Sequence, residues 1–335
     1  MKSTLQKLIN RQNLSEAEAG EAFDLIMNGE ATPAQLGAFL AALRIKGETI
    51  EELAGASRSM RRHAVFVDPR GKPVVDTCGT GGDSLGTFNI STTAAFVVAG
   101  AGVPVAKHGN RSITSKCGSA DVLAELGVNL EVPPDIMEDC IHEVGIGFLF
   151  APKLHPAMKH AMGPRKELGF RTIFNLLGPL ANPAGAKCQV LGVFAPELTE
   201  MFAEVLKRLG SRRVFVVHGQ DGMDEITITG TTRISELRDG SIRTYNFDPL
   251  SVIEDYSGLA ALAGGDPAVN AKITRAILEG ESGPRRDIVC LNAAAGLIAG
   301  GKAVDFEEGF KLAGQALDNG NALKALEGLV TATRR

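Results

Sequence analysis

Through the first 65 residues the apolar positions recur three and four apart: Ala22, Phe23, Ile26 and Met27, then Leu36, Phe39, Leu40 and Leu43, then Ile50, Leu53, Ser57 and Met60. That period puts each group on one face of a helix. Each group also carries a start signal. Ser15 with Glu18, Thr32-Pro33 with Gln35, and Thr49 with Glu52 fit capping boxes, in which side chains satisfy the first orphan N–H groups of a helix. Pro33 suits the first helical position, and Gly29 and Gly47 are stop signals. No strand period interrupts them, so the spacing predicts a small helical domain. The charged run 58–63 and Asp68-Pro69-Arg70-Gly71 predict a hinge.

From Lys72 onward the period changes. Short apolar runs predict strands at 73–77, 103–107, 146–150, 188–194 and 213–218. Helical patterns at 91–101, 119–126, 133–144 and 197–209 fall between them. A β-rich patch is expected at 225–246 and helices at 268–280, 286–300 and 306–318. Such alternation predicts an α/β fold with a mostly parallel central sheet covered by helices. The expected organisation is an all-helical domain of residues 1–68, completed by helices within about 153–181, and a larger α/β domain of residues 69–335. Ligands of such sheets sit at the carboxyl ends of the strands. The loops after Thr77, Val105 and His218 lie at such ends, so three separated motifs can converge there.

Composition narrows the class of protein. A net charge of −4 argues against general nucleic-acid affinity, which needs a basic face to release counterions. The five cysteines, at 78, 117, 140, 188 and 290, are scattered without a CxxC pair, which fits a reduced cytoplasmic setting. The apolar stretch 94–106 is too short for a membrane span, which takes about 20 residues. A soluble enzyme is expected.

The chemistry concentrates in four segments. The first is DTCGTGGDSLGTFNIST, residues 76–92. Ser84 stands where a dinucleotide fingerprint needs its last glycine, and no phosphate-loop GK[ST] ending is present. The glycines suit close approach of N–H groups to an anion, or simply a tight strand-to-helix turn. Asn89, Ser91 and Thr92 open the next helix, as N-caps or as part of an anion site. The second segment, Lys107-His108-Gly109-Asn110-Arg111-Ser112, follows an apolar strand and is a solvated basic loop or a phosphate clamp. His108 reads as a packing residue, because nothing nearby completes a triad. In the third, Asp224-Glu225 within HGQDGMDE suits either an acidic turn or Mg²⁺, a hard ion that uses one or two carboxylates plus substrate phosphates. No HExxH or Cys/His cluster offers zinc spacing. In the fourth, 155–175, a helix is expected to be interrupted at Gly163-Pro164. Arg165 there can clamp an anion or pair with Glu167 or Asp83, and the residues alone favour pairing.

Taken together, GTGGD, FNIST, KHGNR, GSAD, HPAMKHAMGPRKELGFRTIFNLLGPLANP and DGMDE stand in the order of one family. The chain resembles, nearly end to end, the anthranilate phosphoribosyltransferases of the nucleoside phosphorylase and phosphoribosyltransferase class with a helical domain. The resemblance implies transfer of a phosphoribosyl group from 5-phosphoribosyl 1-diphosphate to anthranilate, releasing diphosphate, in tryptophan biosynthesis. By position it implies that Gly79, Gly82, Asp83 and Thr87 border the phosphoribosyl diphosphate and that Asn89, Ile90, Ser91 and Thr92 hold its phosphates. Lys107, His108, Gly109, Asn110, Arg111, Ser112, Ile113, Thr114, Ser115 and Ser119 complete that site. Gly79, Asn110 and Arg165 are implied for anthranilate, and Ser91, Asp224 and Glu225 for Mg²⁺, two ions per active site. A homodimer through the helical domain is also implied. Met223, where the family's loop usually has leucine, and Cys117, where a small hydroxyl residue is usual, are mild departures. A pyrimidine nucleoside phosphorylase shares this architecture but uses a different phosphate loop. A non-catalytic nucleic-acid-binding relative should show a basic groove, against the acidic balance here.

Overall fold

The three capping boxes form, and they set where the helices begin. In the computed structural model, which describes residues 1–112 and 116–335, Ser15, Thr32 and Thr49 each accept from the backbone N–H three residues on, and Glu18, Gln35 and Glu52 return the bond. They open α2 (Glu16–Met27), α3 (Pro33–Lys46) and α4 (Ile50–Arg62), behind a short α1 (Lys2–Ile9). The charged run 58–63 is the end of α4 and its cap rather than a hinge. Arg61 and Arg62 sit where the helix dipole favours cations. Glu52 also ties the helices together: it is buried, accepts the Leu14 N–H and pairs with Lys46 at 2.9 Å.

Among the described residues the remaining strands form one seven-stranded sheet in the order β3-β2-β1-β4-β5-β6-β7. These are β1 (Val75–Gly79), β2 (Val105–Gly109), β3 (Ile146–Phe150), β4 (Cys188–Gly192), β5 (Arg213–Gly219), β6 (Thr232–Arg238) and β7 (Ser241–Phe247). The first five run parallel, and β6 and β7 form an antiparallel edge. The β-rich patch expected from 225 therefore starts later, at Thr232. Residues 225–231 are instead a loop held by Asp221, which accepts from the Thr227 and Thr229 hydroxyls at 2.7 and 2.6 Å.

Two cores flank the sheet. On one side Val75, Phe96, Val190 and Phe215 pack with Leu291 and Leu326. α5 (Ile90–Gly100) runs through this layer buried on nearly all sides, which is why its sequence shows no polar face. The other core joins Phe23, Phe39 and Leu53 of the helical lobe to Phe174 and Leu177, and to Leu191, Val193, Phe202 and Val216 from the α/β layer. Each such fully buried side chain is worth roughly 1.5–3 kcal/mol. After α6 (Ser119–Glu125) and α7 (Pro134–Asp139), which lie between β2 and β3 in sequence, α8 (Ala151–Leu154), α9 (Lys159–Leu168) and α10 (Phe174–Leu177) lie between β3 and β4; Ala161 of α9 and Phe174 of α10 pack into the helical lobe's core.

α9 runs unbroken through Gly163-Pro164, against the interruption expected there. A proline clashes with the Cβ of the residue before it when that residue is helical. Gly163 has none, so that clash is removed, and what remains is the missing hydrogen bond and the ring's crowding of the carbonyl four residues back. Between β5 and the C-terminus the chain adds four helices, Pro267–Leu278, Pro284–Ala299, Phe306–Asp318 and Asn321–Ala332. The fourth was not anticipated. Its Ala322, Ala325, Leu326 and Leu329 are buried at helical spacing, a period visible in the sequence. Among the described residues no helix is long and apolar enough to cross a membrane.

Candidate active site

The loops at the carboxyl ends of β1, β2 and β5 do meet. β1 and β4 stay paired to their last residues, Gly79 against Gly192, and the acidic loop after β5 crosses directly above this pair. A Cβ on Gly192 would lie 1.6 Å from the Asp224 carbonyl oxygen, and one on Gly79 would lie 2.8 Å from Asp224 Oδ2. The two glycines therefore make the floor on which Asp224 rests. Gly81 N donates to Asp224 Oδ2 at 2.9 Å, and Ser91 N, in the first turn of α5, donates to Glu225 Oε1 at 3.0 Å.

On the other side of β1 the sheet opens. β1 and β2 share a single paired position, Val75 with Val105. Beyond it side chains span the gap: Asp76 Oδ1 accepts His108 N at 3.0 Å, Lys107 Nζ donates to the Thr77 carbonyl, and Asn182 Nδ2 donates to Ala106 O at 2.9 Å. The cleft between the glycine loop and the KHGNRS loop is thus built into the strand register. Lys107 is 3% exposed, and its ammonium is held against Thr77 of β1. Burial lowers its pKa, while the charges of Asp76 and Glu225 pull it back towards the charged form.

Asp224 and Glu225 are both raised well above the ordinary carboxylate range. Burial is the main cause, followed by Asp83 for Asp224 and by Asp224 for Glu225. Two buried carboxylates against a third are electrostatically costly without a cation. With Ser91 beside Glu225, to which its backbone N–H donates, two carboxylates and a hydroxyl lie together and fit a hard divalent cation. Among the described residues no cage of three or more His, Cys, Asp or Glu side chains is present. An ion that retains waters and takes substrate oxygens needs none.

Other expected residues are placed differently. His108, next along β2 from Lys107, turns its ring to the opposite face of the strand, where its Nε2 lies 3.2 Å from His155 Nε2. Burial, and then His155, push it down to about 3, so the imidazole is a neutral packing group that faces away from Lys107. The Ile90 side chain is core, and its N–H is spent on Phe88 O at 2.8 Å. Asn89 is clasped by Cys117 and Asn270: its amide donates to Cys117 O at 3.2 Å, and its Oδ1 accepts from Asn270 Nδ2 at 2.9 Å. Thr92 is buried in the same helix turn. Thr87 bridges to Ala263, which ties the glycine loop to the chain ahead of the Pro267–Leu278 helix. Arg111 pairs with Asp121 at 3.0 Å. Ser119 Oγ donates to Asn110 O at 3.3 Å and underpins Gly109. Ile113, Thr114 and Ser115 lie outside the described residues.

Arg165 forms no pair with Glu167 or Asp83. Its guanidinium lies 4.9 Å above the Phe174 ring, and burial lowers its pKa. Among the described residues it has no carboxylate partner, which leaves its charge for an anion. Residues not singled out from sequence complete the site: Asp76 and Asn182 span the open ladder, Asn270 fixes Asn89, and Asp121 gathers Gly118 N, Ser112 N and Arg111. Asp76, Asp121 and Asn182 all lie within the motifs quoted from the sequence, without an assigned role there.

Glycine, basic and acidic loops at the mouth of a parallel sheet, joined to a helical lobe, have the two-domain arrangement of a class of glycosyl-transferring enzyme. A helical bundle domain of the glycosyl transferase family matches residues 2–64, and that family's a/b domain matches residues 71–323. The chain belongs to this glycosyl transferase family, and within it to the anthranilate phosphoribosyltransferases. It is 59% identical to the anthranilate phosphoribosyltransferase of Desulfosudis oleivorans, over 99% of this chain and 98% of that protein. It is 57% identical to that of Moorella thermoacetica, over 98% and 97%. Among solved structures, the enzyme of Thermus thermophilus superposes with a TM-score of 0.94 at 46% identity, covering 99% of both chains. The Saccharomyces cerevisiae enzyme in complex with PRPP and Mg superposes at 0.89 with 28% identity, over 99% and 97%.

Proposed function

We infer that the chain transfers the phosphoribosyl group of 5-phosphoribosyl 1-diphosphate to the amino group of anthranilate, the second step of tryptophan biosynthesis from chorismate. The observation that carries this is the convergence of the glycine loop, the α5 N-terminus, Lys107 and the Asp224-Glu225 pair over one end of the sheet, in a chain nearly 60% identical to enzymes of that name.

The geometry suits displacement of diphosphate from an anomeric carbon. Positive charge develops on the ribose and negative charge on the leaving group. The N-terminal end of α5 and the Lys107 ammonium supply fixed positive potential for phosphate oxygens. Asp224, Glu225 and Ser91 would hold Mg²⁺, two ions per site, which when bound neutralises diphosphate charge. Arg165, in the helical lobe, would take the anthranilate carboxylate, aided by Asn110. An aromatic amine is already neutral at pH 7, so its attack needs positioning rather than a base. This reading therefore assigns no acid–base role to a residue of the site. A homodimer through the helical lobe is part of this reading, and Ile9 and Ile45, 67% and 75% exposed there, support it.

The direct test is the loss of anthranilate fluorescence on adding 5-phosphoribosyl 1-diphosphate and Mg²⁺ to the purified protein. No loss, or loss without the diphosphate, refutes the assignment.

A further inference from the structure

The glycine loop is held from two sides. From the sheet, Thr80 N donates to Gly192 O at 2.9 Å, and Phe194 N donates to Thr80 Oγ1 at 3.1 Å. From the helical lobe, Arg171 Nη2 donates to Gly82 O at 3.3 Å. The Arg171 Cζ also lies 4.5 Å from the centroid of the Phe194 ring. The residue whose backbone pins Thr80 therefore offers its ring as the platform for the side chain that pins Gly82.

The geometry of Gly82 is fitted to this contact. Its φ is +90°, and a Cβ there would lie 1.5 Å from Arg171 Nη2, so the guanidinium fills the space a side chain would take. The base of Arg171 is firm. It sits between α9 and α10, followed by Thr172, whose N–H donates to Asn175 Oδ1 at 3.0 Å, and by Ile173, wholly buried in the helical lobe's core. A planar guanidinium stacked on a ring is already oriented, so it loses little freedom per hydrogen bond formed.

We propose that Arg171 is a positioning residue for phosphoribosyl transfer: braced on Phe194, it holds the Gly82 carbonyl and so sets the height at which Gly81 N–H and Asp83 meet Asp224. It acts on phosphoribosyl diphosphate through the loop, not by touching it, and it carries the helical lobe's position into the phosphate site. This rests on the function proposed above.

The test compares Arg171→Ala, Arg171→Lys and Phe194→Leu in the full-length protein by steady-state kinetics and by hydrogen exchange of the segment 79–87. Arg171→Ala should raise KM for phosphoribosyl diphosphate about tenfold while leaving KM for anthranilate within about twofold, the signature of lost ground-state positioning at one substrate. Exchange in 79–87 should quicken in parallel. Phe194→Leu, which removes the platform and leaves the guanidinium, should shift both readouts the same way by a smaller factor, and Arg171→Lys should fall between. A rise in KM for Arg171→Ala with Phe194→Leu unchanged would assign Arg171 to direct diphosphate contact and overturn the proposal. So would a lower melting temperature with both KM values and loop exchange unchanged. The exchange measurement needs no turnover, so it tests the brace even if the wild type transfers no phosphoribosyl group.

Discussion

Acid should weaken this fold through the His108–His155 pair, and the size of the effect follows from their burial. The two Nε2 atoms lie 3.2 Å apart, so one carries a proton and the other accepts it. Protonating either ring at its free nitrogen sets two N–H groups face to face or charges a ring that is 7% or 6% exposed. Burial lowers His108 from 6.5 to about 3, and lowers His155 from 6.5 to about 4. Below the ordinary histidine range the unfolded chain binds more protons than the folded one, so stability falls with pH. The contribution is complete above pH 6.5 and is lost as pH drops towards the folded values. Between pH 7 and 5 each histidine should cost about 2 kcal/mol of unfolding free energy. Asp224 and Glu225 act in the opposite sense, because their raised values make the folded state bind protons first as pH falls. The assay is therefore a difference: urea unfolding of the wild type and of His155→Gln at pH 7, 6 and 5. The carboxylate contribution cancels, glutamine keeps a donor for His108, and the wild type should lose about 2 kcal/mol more than the variant over that range. Parallel pH profiles for the two proteins would refute the assignment of a buried neutral pair.

Asp224→Asn should lower Mg²⁺-dependent turnover by about tenfold or more, the scale lost even when groups that merely orient metal ligands are changed; an unaltered Mg²⁺ titration would contradict the metal role. Arg165→Ala should raise KM for anthranilate by roughly 10- to 100-fold, the value of a charged hydrogen bond, with far less effect on phosphoribosyl diphosphate; equal shifts in both KM values would refute it. Glu52→Ala takes the carboxylate from Lys46, 5% exposed at its side chain, which keeps only Asn13 Oδ1 and Gly47 O as acceptors, and leaves the Leu14 and Thr49 N–H groups without their acceptor. It should destabilise the protein by about 3–5 kcal/mol, read from the urea midpoint, and a loss below about 1 kcal/mol would mean that the lobe does not depend on this network.

The helical lobe was legible because its signals are local. A capping box needs four consecutive residues, and Ser15, Thr32 and Thr49 each had them. The parallel sheet was legible for the same reason, since β–α alternation recurs along the chain, and so were Asp224 and Glu225 as an acidic pair after a buried strand. The continuity of α9 through Pro164 was local too, but it turned on the missing Cβ of Gly163, a detail that a proline-stops-helix rule passes over.

What only the tertiary structure decided is which side of each strand and loop faces the cleft. In the sequence Lys107 and His108 are neighbours in one basic motif. In the fold the alternation of β2 sends Lys107 to Thr77 of β1 and His108 to His155 on the other face. Asn89 and Asn270 are 181 residues apart and bonded. Arg171 reaches Gly82 across 89 residues from the helical lobe. The chain's pattern determines its elements and the chemistry each loop carries, because propensity, caps and hydrophobic period act over a few residues. The pairing of β1 with β2 at a single position, which opens the cleft, depends on long-range contacts of Asp76 and Asn182 that leave no periodic trace.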